Sequence, residues 1–453
     1  MEPRELQLWV ATGIKGAVSN AQLVAYAVSA DATMRALASP LDLGEPSVMP
    51  MSVVSSDHHA WVATKTRGVV SVRRDHGNSA LTEIAETPAG ATIGPSHLAL
   101  DNSQRWLIAC NCVAPDPSVA VLPINAATGA AESPVCVVSH EPRRTPFFSD
   151  AQALLAELTA GEISQLTARA AEAGVSAEQQ AGLTQEALAK LVAEKTYRQS
   201  KANPHGCFVD CSSSSDSSWV HVADLGINAI ITYSLDEQTG QLSQVHEVSM
   251  HPGAGPRHVV CGPPVQSRRY MYVVNEIDNT ITALRYDCSS GIAVPVQTIS
   301  TVPDEWRQLR AEHLQLDGYA AEVAVSECGR FVYACNRGHN SVVVYECDAE
   351  ADPSAPLALV EYVPSGGAVP WGFTLFGPKG CFVAVPNQWA DRLADGQDDD
   401  GGMLGSGIGN VNIFRRDLNT GKLTRTSTSV KHEAALAVAT PASSPKSRQY
   451  NKL

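Results

Sequence analysis

Apolar residues along this chain come in short runs rich in β-branched and aromatic types, each closed by a small or polar residue. One run recurs throughout, at Leu8–Gly13, Ala60–Lys65, Trp106–Asn111, Trp219–Asp224, Tyr270–Asn275, Phe331–Asn336 and Phe382–Asn387. A second apolar run follows most copies, at Gly68–Val72, Ser118–Leu122, Ala229–Tyr233, Thr280–Leu284, Ser341–Tyr345 and Asn410–Phe414. Turn-forming stretches such as Asp236-Glu237-Gln238-Thr239-Gly240 and Asn419-Thr420-Gly421-Lys422 lead on to the next run. Runs this short, β-branched and separated by turns predict antiparallel strands.

The unit recurs about seven times at a spacing of roughly 50 residues, which predicts an all-β, seven-bladed β-propeller as one domain over residues 1–453. A lone four-stranded blade cannot bury both faces. Blades set radially cover one another and leave no long free edge. The first run, Leu6 to Thr12, reads as a second strand, so the first blade lacks its innermost one. The alternation of Ala434, Leu436 and Val438 predicts a strand that supplies it. One segment breaks the period. Residues 149–200 are rich in Ala, Glu, Gln and Leu, with Leu154, Leu155, Leu158, Ile163, Leu166, Leu183, Leu188 and Leu191 at helical spacings. A helical insertion between blades 3 and 4 is expected there, either as a lid or protein-contact surface or as a solvated hairpin outside the chemistry.

Composition narrows the function. The net charge of −14 disfavours a nucleic-acid partner, which needs a basic footprint. It leaves room for a small anion, because a few arginines in a cleft reverse the local potential. No apolar run reaches the ~18 residues of a membrane span, and Met1-Glu2-Pro3-Arg4-Glu5 lacks a signal-peptide pattern, so a cytoplasmic protein is expected. The tripeptide Asn451-Lys452-Leu453 is only distantly like a peroxisomal or glycosomal address. The 11 cysteines are irregularly spaced and form no CxxC, so they read as reduced, small hydrophobes. Cys110 with Cys112, and Cys207 with Cys211, lack the second pair a zinc site needs. Gly405–Gly409 precedes a strand instead of a helix, against a dinucleotide loop, and Asp395–Asp400 lacks calcium-loop spacing. No metal or cofactor is expected.

The candidate chemistry lies at the starts of the innermost strands: Gly94-Pro95-Ser96-His97, Asn203-Pro204-His205-Gly206, Gly255-Pro256-Arg257-His258, Ala321-Glu322-Val323 and Val369-Pro370-Trp371-Gly372. In a propeller these strands line the central channel, so polar side chains at matching places converge on the axis. Such a convergent polar set suits a small-molecule site.

The stretches GAGPRHVV…YMYVVNEIDNTITAL, AEVAVSECGRFVYACNRGHNSVVVYECD and VHVADLGINAIITYSLDEQTGQL resemble the propeller lactonases. That family includes propeller-type 6-phosphogluconolactonases and fungal 3-carboxymuconate cyclases. The resemblance spans nearly the whole chain outside the expected insertion and is densest in blades 4 to 7. It implies a catalytic set of His205, Arg257, Glu276 and Arg337. Phosphate or carboxylate on the substrate is bound bidentately by planar guanidinium groups, so Arg257 and Arg337 are implied as anion clamps and oxyanion stabilisers. His205 and Glu276 are implied to divide the acid and base roles.

Further substrate-binding candidates are His97, His258, Glu322, Asn336, His339, Asn387 and Gln388, each with a turn-stabilising hydrogen bond as its structural alternative. For the quartet the structural alternative is an Arg–Glu bridge between blades. The chain departs from the family pattern at Cys207, where a second His is common, at Trp371, where Arg is common, and at Cys112, where an aromatic is common. Trp371 would put a stacking wall in the channel. The expected function is hydrolysis of a small anionic sugar lactone. Carboxymuconate cyclisation and a non-catalytic binding propeller are the alternatives.

Overall fold

The computed structural model of the chain describes residues 6–13, 20–75, 80–89, 94–112, 116–141, 201–210, 217–251, 253–263, 269–307, 318–348, 352–390, 408–433 and 435–439, with the isolated positions 170, 177, 180 and 199. Their strands form seven antiparallel sheets, the blades of an all-β propeller. The recurring runs of the sequence are the second strands of the blades, Trp106–Asn111 and Tyr270–Asn275 among them.

Those runs are apolar at nearly every position before their closing residue because both sheet faces are covered. Alternate side chains of Trp106–Asn111 enter different seams. Leu107 and Ala109 pack against blade 2, with Trp61 and Ala63. Trp106, Ile108 and Cys110 pack against blade 4, with Val220 and Val222. Seven such clusters, one per seam, make up the core. Truncating one of these side chains, as in Ile108→Ala, removes atoms a close-packed seam cannot refill and costs about 2–5 kcal/mol.

Ring closure follows the expectation from the C-terminal alternation. Strand Ala435–Ala439 pairs antiparallel with Leu6–Thr12, matching Trp9 to Ala439, Val10 to Val438 and Ala11 to Ala437. The turn signals also form as expected. At 236–240, Asp236 Oδ1 accepts from the N–H groups of Gln238 (2.8 Å) and Thr239 (3.1 Å), and Gly240 takes the left-handed φ of +73° that ends the turn.

The helical insertion expected over 149–200 lies outside the described residues, apart from four isolated positions, and is not shown. Residues 395–400, 405–407 and 451–453 also lie outside them. Among the described residues, no helix is long and apolar enough to cross a membrane.

A shared irregularity in the innermost strands positions the site. In blade 4, Pro204 pairs with Asp224 and Gly206 with Ala223, leaving His205 as an extra, unmatched residue. In blade 5, Pro256 pairs with Asn275 and His258 with Val274, leaving Arg257 unmatched. Blade 6 shifts register between Ala320 and Val323, around Glu322. Proline suits the strand's first position, since it has no N–H to give a ladder. A bulge then breaks the strict alternation of side chains and re-aims the residue it carries.

Candidate functional site

The starts of the innermost strands lie beside the ends of the second strands, because the two run antiparallel. His205 and Arg257 at their bulges therefore meet Glu276, which follows strand Tyr270–Asn275, and Arg337, which ends strand Phe331–Arg337. The Glu276 N–H donates to Gly255 O at 2.7 Å, tying the turn to the inner strand.

One carboxylate oxygen serves two guanidiniums. Glu276 Oε2 lies 2.7 Å from Arg257 Nε and 2.8 Å from Arg337 Nη2, with all three side chains buried. Backbone carbonyls complete the cradle. Arg257 Nη1 donates to Ala321 O at 2.5 Å, while Arg337 donates through Nε to Tyr319 O and through Nη2 to Ala320 O. The Arg337 guanidinium also lies 4.5 Å from the ring centre of Trp371, whose Nε1 donates to Gln388 Oε1 at 2.7 Å.

Three histidines stand beside this cluster. The His258 ring centre is 4.5 Å from that of His97 and 5.4 Å from that of His205. Arg257 Nη1 is 3.1 Å from His258 Nε2. Because a guanidinium only donates, Nε2 accepts, and Nδ1 carries the proton donated to Glu322 Oε1 at 2.8 Å. His97 Nδ1 accepts from the Cys207 N–H at 3.3 Å, with Cys207 Sγ at 3.7 Å. His205 Nδ1 is buried and has no hydrogen-bond partner among the described residues.

Burial, then the charge of Arg257, hold both His205 and His258 well below the usual histidine range, so both are neutral at pH 7. Burial raises the Glu322 carboxyl. Hydrogen bonds from Cys110 and then His97 lower the Cys207 thiol.

An axial cavity of about 1630 Å³ runs the length of the inner strands, and His97, Cys207, Arg257, His258, Glu322 and Trp371 line one end of it. The structure thus brings His97, His205, Arg257, His258, Glu276, Glu322 and Arg337 together, with Gln388 one contact away through Trp371. His205, Glu276, Arg337 and Gln388 stand behind the lining of this cavity, and Asn336, His339 and Asn387 are neither in it nor bonded to this cluster by the contacts that follow. Asn336 Nδ2 donates to Thr301 O, and its Oδ1 accepts from Thr301 Oγ1. Asn387 Nδ2 bonds Asn410 Oδ1 and Ser365 O. His339 Nδ1 lies 2.6 Å from Ser341 Oγ. These polar groups hold strand ends, the alternative noted for them from sequence. The carbonyls of Tyr319, Ala320 and Ala321 had no sequence signal, since any residue supplies a carbonyl.

The architecture is a seven-bladed propeller with a polar, guanidinium-bearing axial cavity. The family described as "Lactonase, 7-bladed beta-propeller" matches residues 8–395, and the chain belongs to that family. Among curated relatives, a 6-phosphogluconolactonase of Bacillus subtilis (strain 168) is 32% identical over 206 residues, 46% of this chain and 49% of the relative. A 6-phosphogluconolactonase of Formosa agariphila is 27% identical over 216 residues, 46% of this chain and 50% of the relative. The chain thus spans about half the length of the curated relatives it matches. Among solved structures, the periplasmic gluconolactonase of Pseudomonas aeruginosa aligns with TM-score 0.66 at 21% identity, over 96% of this chain and 99% of that one. A putative 6-phosphogluconolactonase of Bacteroides fragilis aligns with TM-score 0.65 at 17% identity, over 97% and 98%. At these identities the structures speak for the fold alone.

Proposed function

We propose that the chain hydrolyses a small sugar lactone in its axial cavity. One observation carries this reading: the Arg257 guanidinium lines the cavity, held by Glu276, next to a neutral His205 whose Nδ1 is unpartnered. A lactone carbonyl oxygen set against Arg257 gains negative charge as water adds to the carbonyl carbon, and the fixed guanidinium stabilises it. The neutral His205 imidazole, beside Arg257, accepts the proton from the attacking water. The ring C–O bond then breaks, and the leaving oxygen takes that proton to give a hydroxy acid. Glu276 is assigned a positioning role, because its carboxylate sits between two guanidiniums. Membership of the lactonase family supports the same reaction class.

The test is acid release from sugar lactones at constant pH by wild-type protein and Arg257→Ala. The reading expects turnover that falls about 10²–10³-fold in kcat/KM in the variant. Absence of turnover by folded wild-type protein overturns it. Loss of a conjugated diene from a carboxymuconate, without lactone hydrolysis, would establish the cyclase alternative instead.

A further inference from the structure

We infer that the axial cavity selects a lactone without a phosphate group: a polyhydroxylated ring, uncharged or bearing one carboxylate, laid against the Trp371 indole. This rests on the lactonase reading and narrows it to a substrate class.

Charge balance is the first argument. Arg257 and Arg337 supply two positive charges but share the Glu276 carboxylate, leaving one. Glu322, bonded to His258, removes that one when ionised. His205 and His258 are neutral and add nothing. The far end of the cavity gives no surplus either, because Arg74 and Lys379 stand with Asp57, Asp101 and Glu327. A phosphate monoester carries close to two negative charges at pH 7. Moving it from water into a cavity with at most one spare positive charge leaves its desolvation uncompensated.

Access is the second argument. Arg337 directs Nη2 at Glu276 and the Ala320 carbonyl and Nε at the Tyr319 carbonyl. Its guanidinium carbon lies over the ring of Trp371, which lines the cavity, whereas Arg337 does not. The indole therefore covers the second guanidinium on the cavity side. Its orientation is set by the bond to Gln388. A fixed aromatic face suits the apolar face of a sugar ring and offers nothing to a phosphate.

The experiment uses the full chain with D-glucono-δ-lactone and its 6-phosphate ester, and measures calorimetric binding of the two product acids. The expected kcat/KM is about tenfold or more higher for the unphosphorylated lactone, roughly one 1.4 kcal/mol step of discrimination. Gluconate is expected to bind more tightly than its 6-phosphate. Trp371→Arg should shift the ratio toward the phosphate ester, and Trp371→Phe, which keeps a flat ring, should preserve it. A wild-type preference for the phosphate ester overturns the inference and leaves the lactonase reading standing. If the folded protein turns over neither lactone, the lactonase reading falls and product binding decides alone. Tighter gluconate binding then sustains the inference; tighter phosphogluconate binding, or none of either, overturns it.

Discussion

Two arginine–carboxylate clusters with a histidine alongside lie within this ring, and they are built to opposite ends. In the seam of blades 4 and 5, Arg269 grips Asp210 through two bonds of 2.9 Å and donates its Nε to Gly262 O. Tyr286 donates to Asp210 at 2.7 Å, and His221 is bonded at one nitrogen to Tyr286 Oη and at the other to Thr232 Oγ1. Both carboxylate oxygens and both ring nitrogens are matched. At the axis, one oxygen of Glu276 is shared by two arginines, and His205 Nδ1 has no partner among the described residues. A fully matched buried network rigidifies a fold, whereas one that leaves a buried nitrogen unmatched beside an arginine lining a cavity marks a candidate ligand site.

The contrast breaks most visibly in the seam. Asp210→Ala leaves the Arg269 charge buried without its carboxylate and should cost about 3–5 kcal/mol in chemical denaturation. Lactone kcat/KM of the folded fraction should be unchanged. Arg257→Ala should do the reverse. Its activity loss of about 10²–10³-fold corresponds to roughly 3–4 kcal/mol of transition-state binding. Its stability loss should be smaller than that of Asp210→Ala, because Glu276 keeps Arg337. Equal stability losses would erase the distinction.

Acid tests both regions at once. Burial pulls His221 down to about 4 and His205 well below its ordinary value. Above pH 6.5 neither folded nor unfolded chain protonates these rings, so they leave stability unchanged. Below it, the unfolded chain binds protons that the folded one refuses, so stability falls as the pH drops toward 4, by about 3 kcal/mol for His221 alone. A flat denaturation midpoint from pH 7 to 4 would contradict that burial. In the same profile kcat/KM should hold to below pH 6, since His205 stays neutral. The smallest effect belongs to a strand-end asparagine. Asn111→Ala, which loses the bond to Ala89 O, should cost roughly 1–2 kcal/mol and leave kcat/KM unchanged.

Much of this was readable from residue order. The Trp106–Asn111 type of run announced strands covered on both faces, and Ala434, Leu436 and Val438 announced the closing strand, because period-two patterning and burial are local consequences of side-chain type. The motif residues His205, Arg257, Glu276 and Arg337 were nameable through their resemblance to a family. Asn336, His339 and Asn387 share the polar character of site residues, and from sequence their strand-end role could not be separated from a place in the cavity. Only their partners, Thr301, Ser341 and Asn410, separate them.

The chain's own order of apolar, turn and polar residues therefore determined a ring of seven blades and which strand ends face its axis. The folded ring decided that one carboxylate is divided between two arginines, that an indole covers one of them, and that His205 Nδ1 has no partner among the described residues. Those facts depend on one-residue bulges and on carbonyls brought together from different blades, and neither bulge register nor carbonyl direction is encoded in any single side chain.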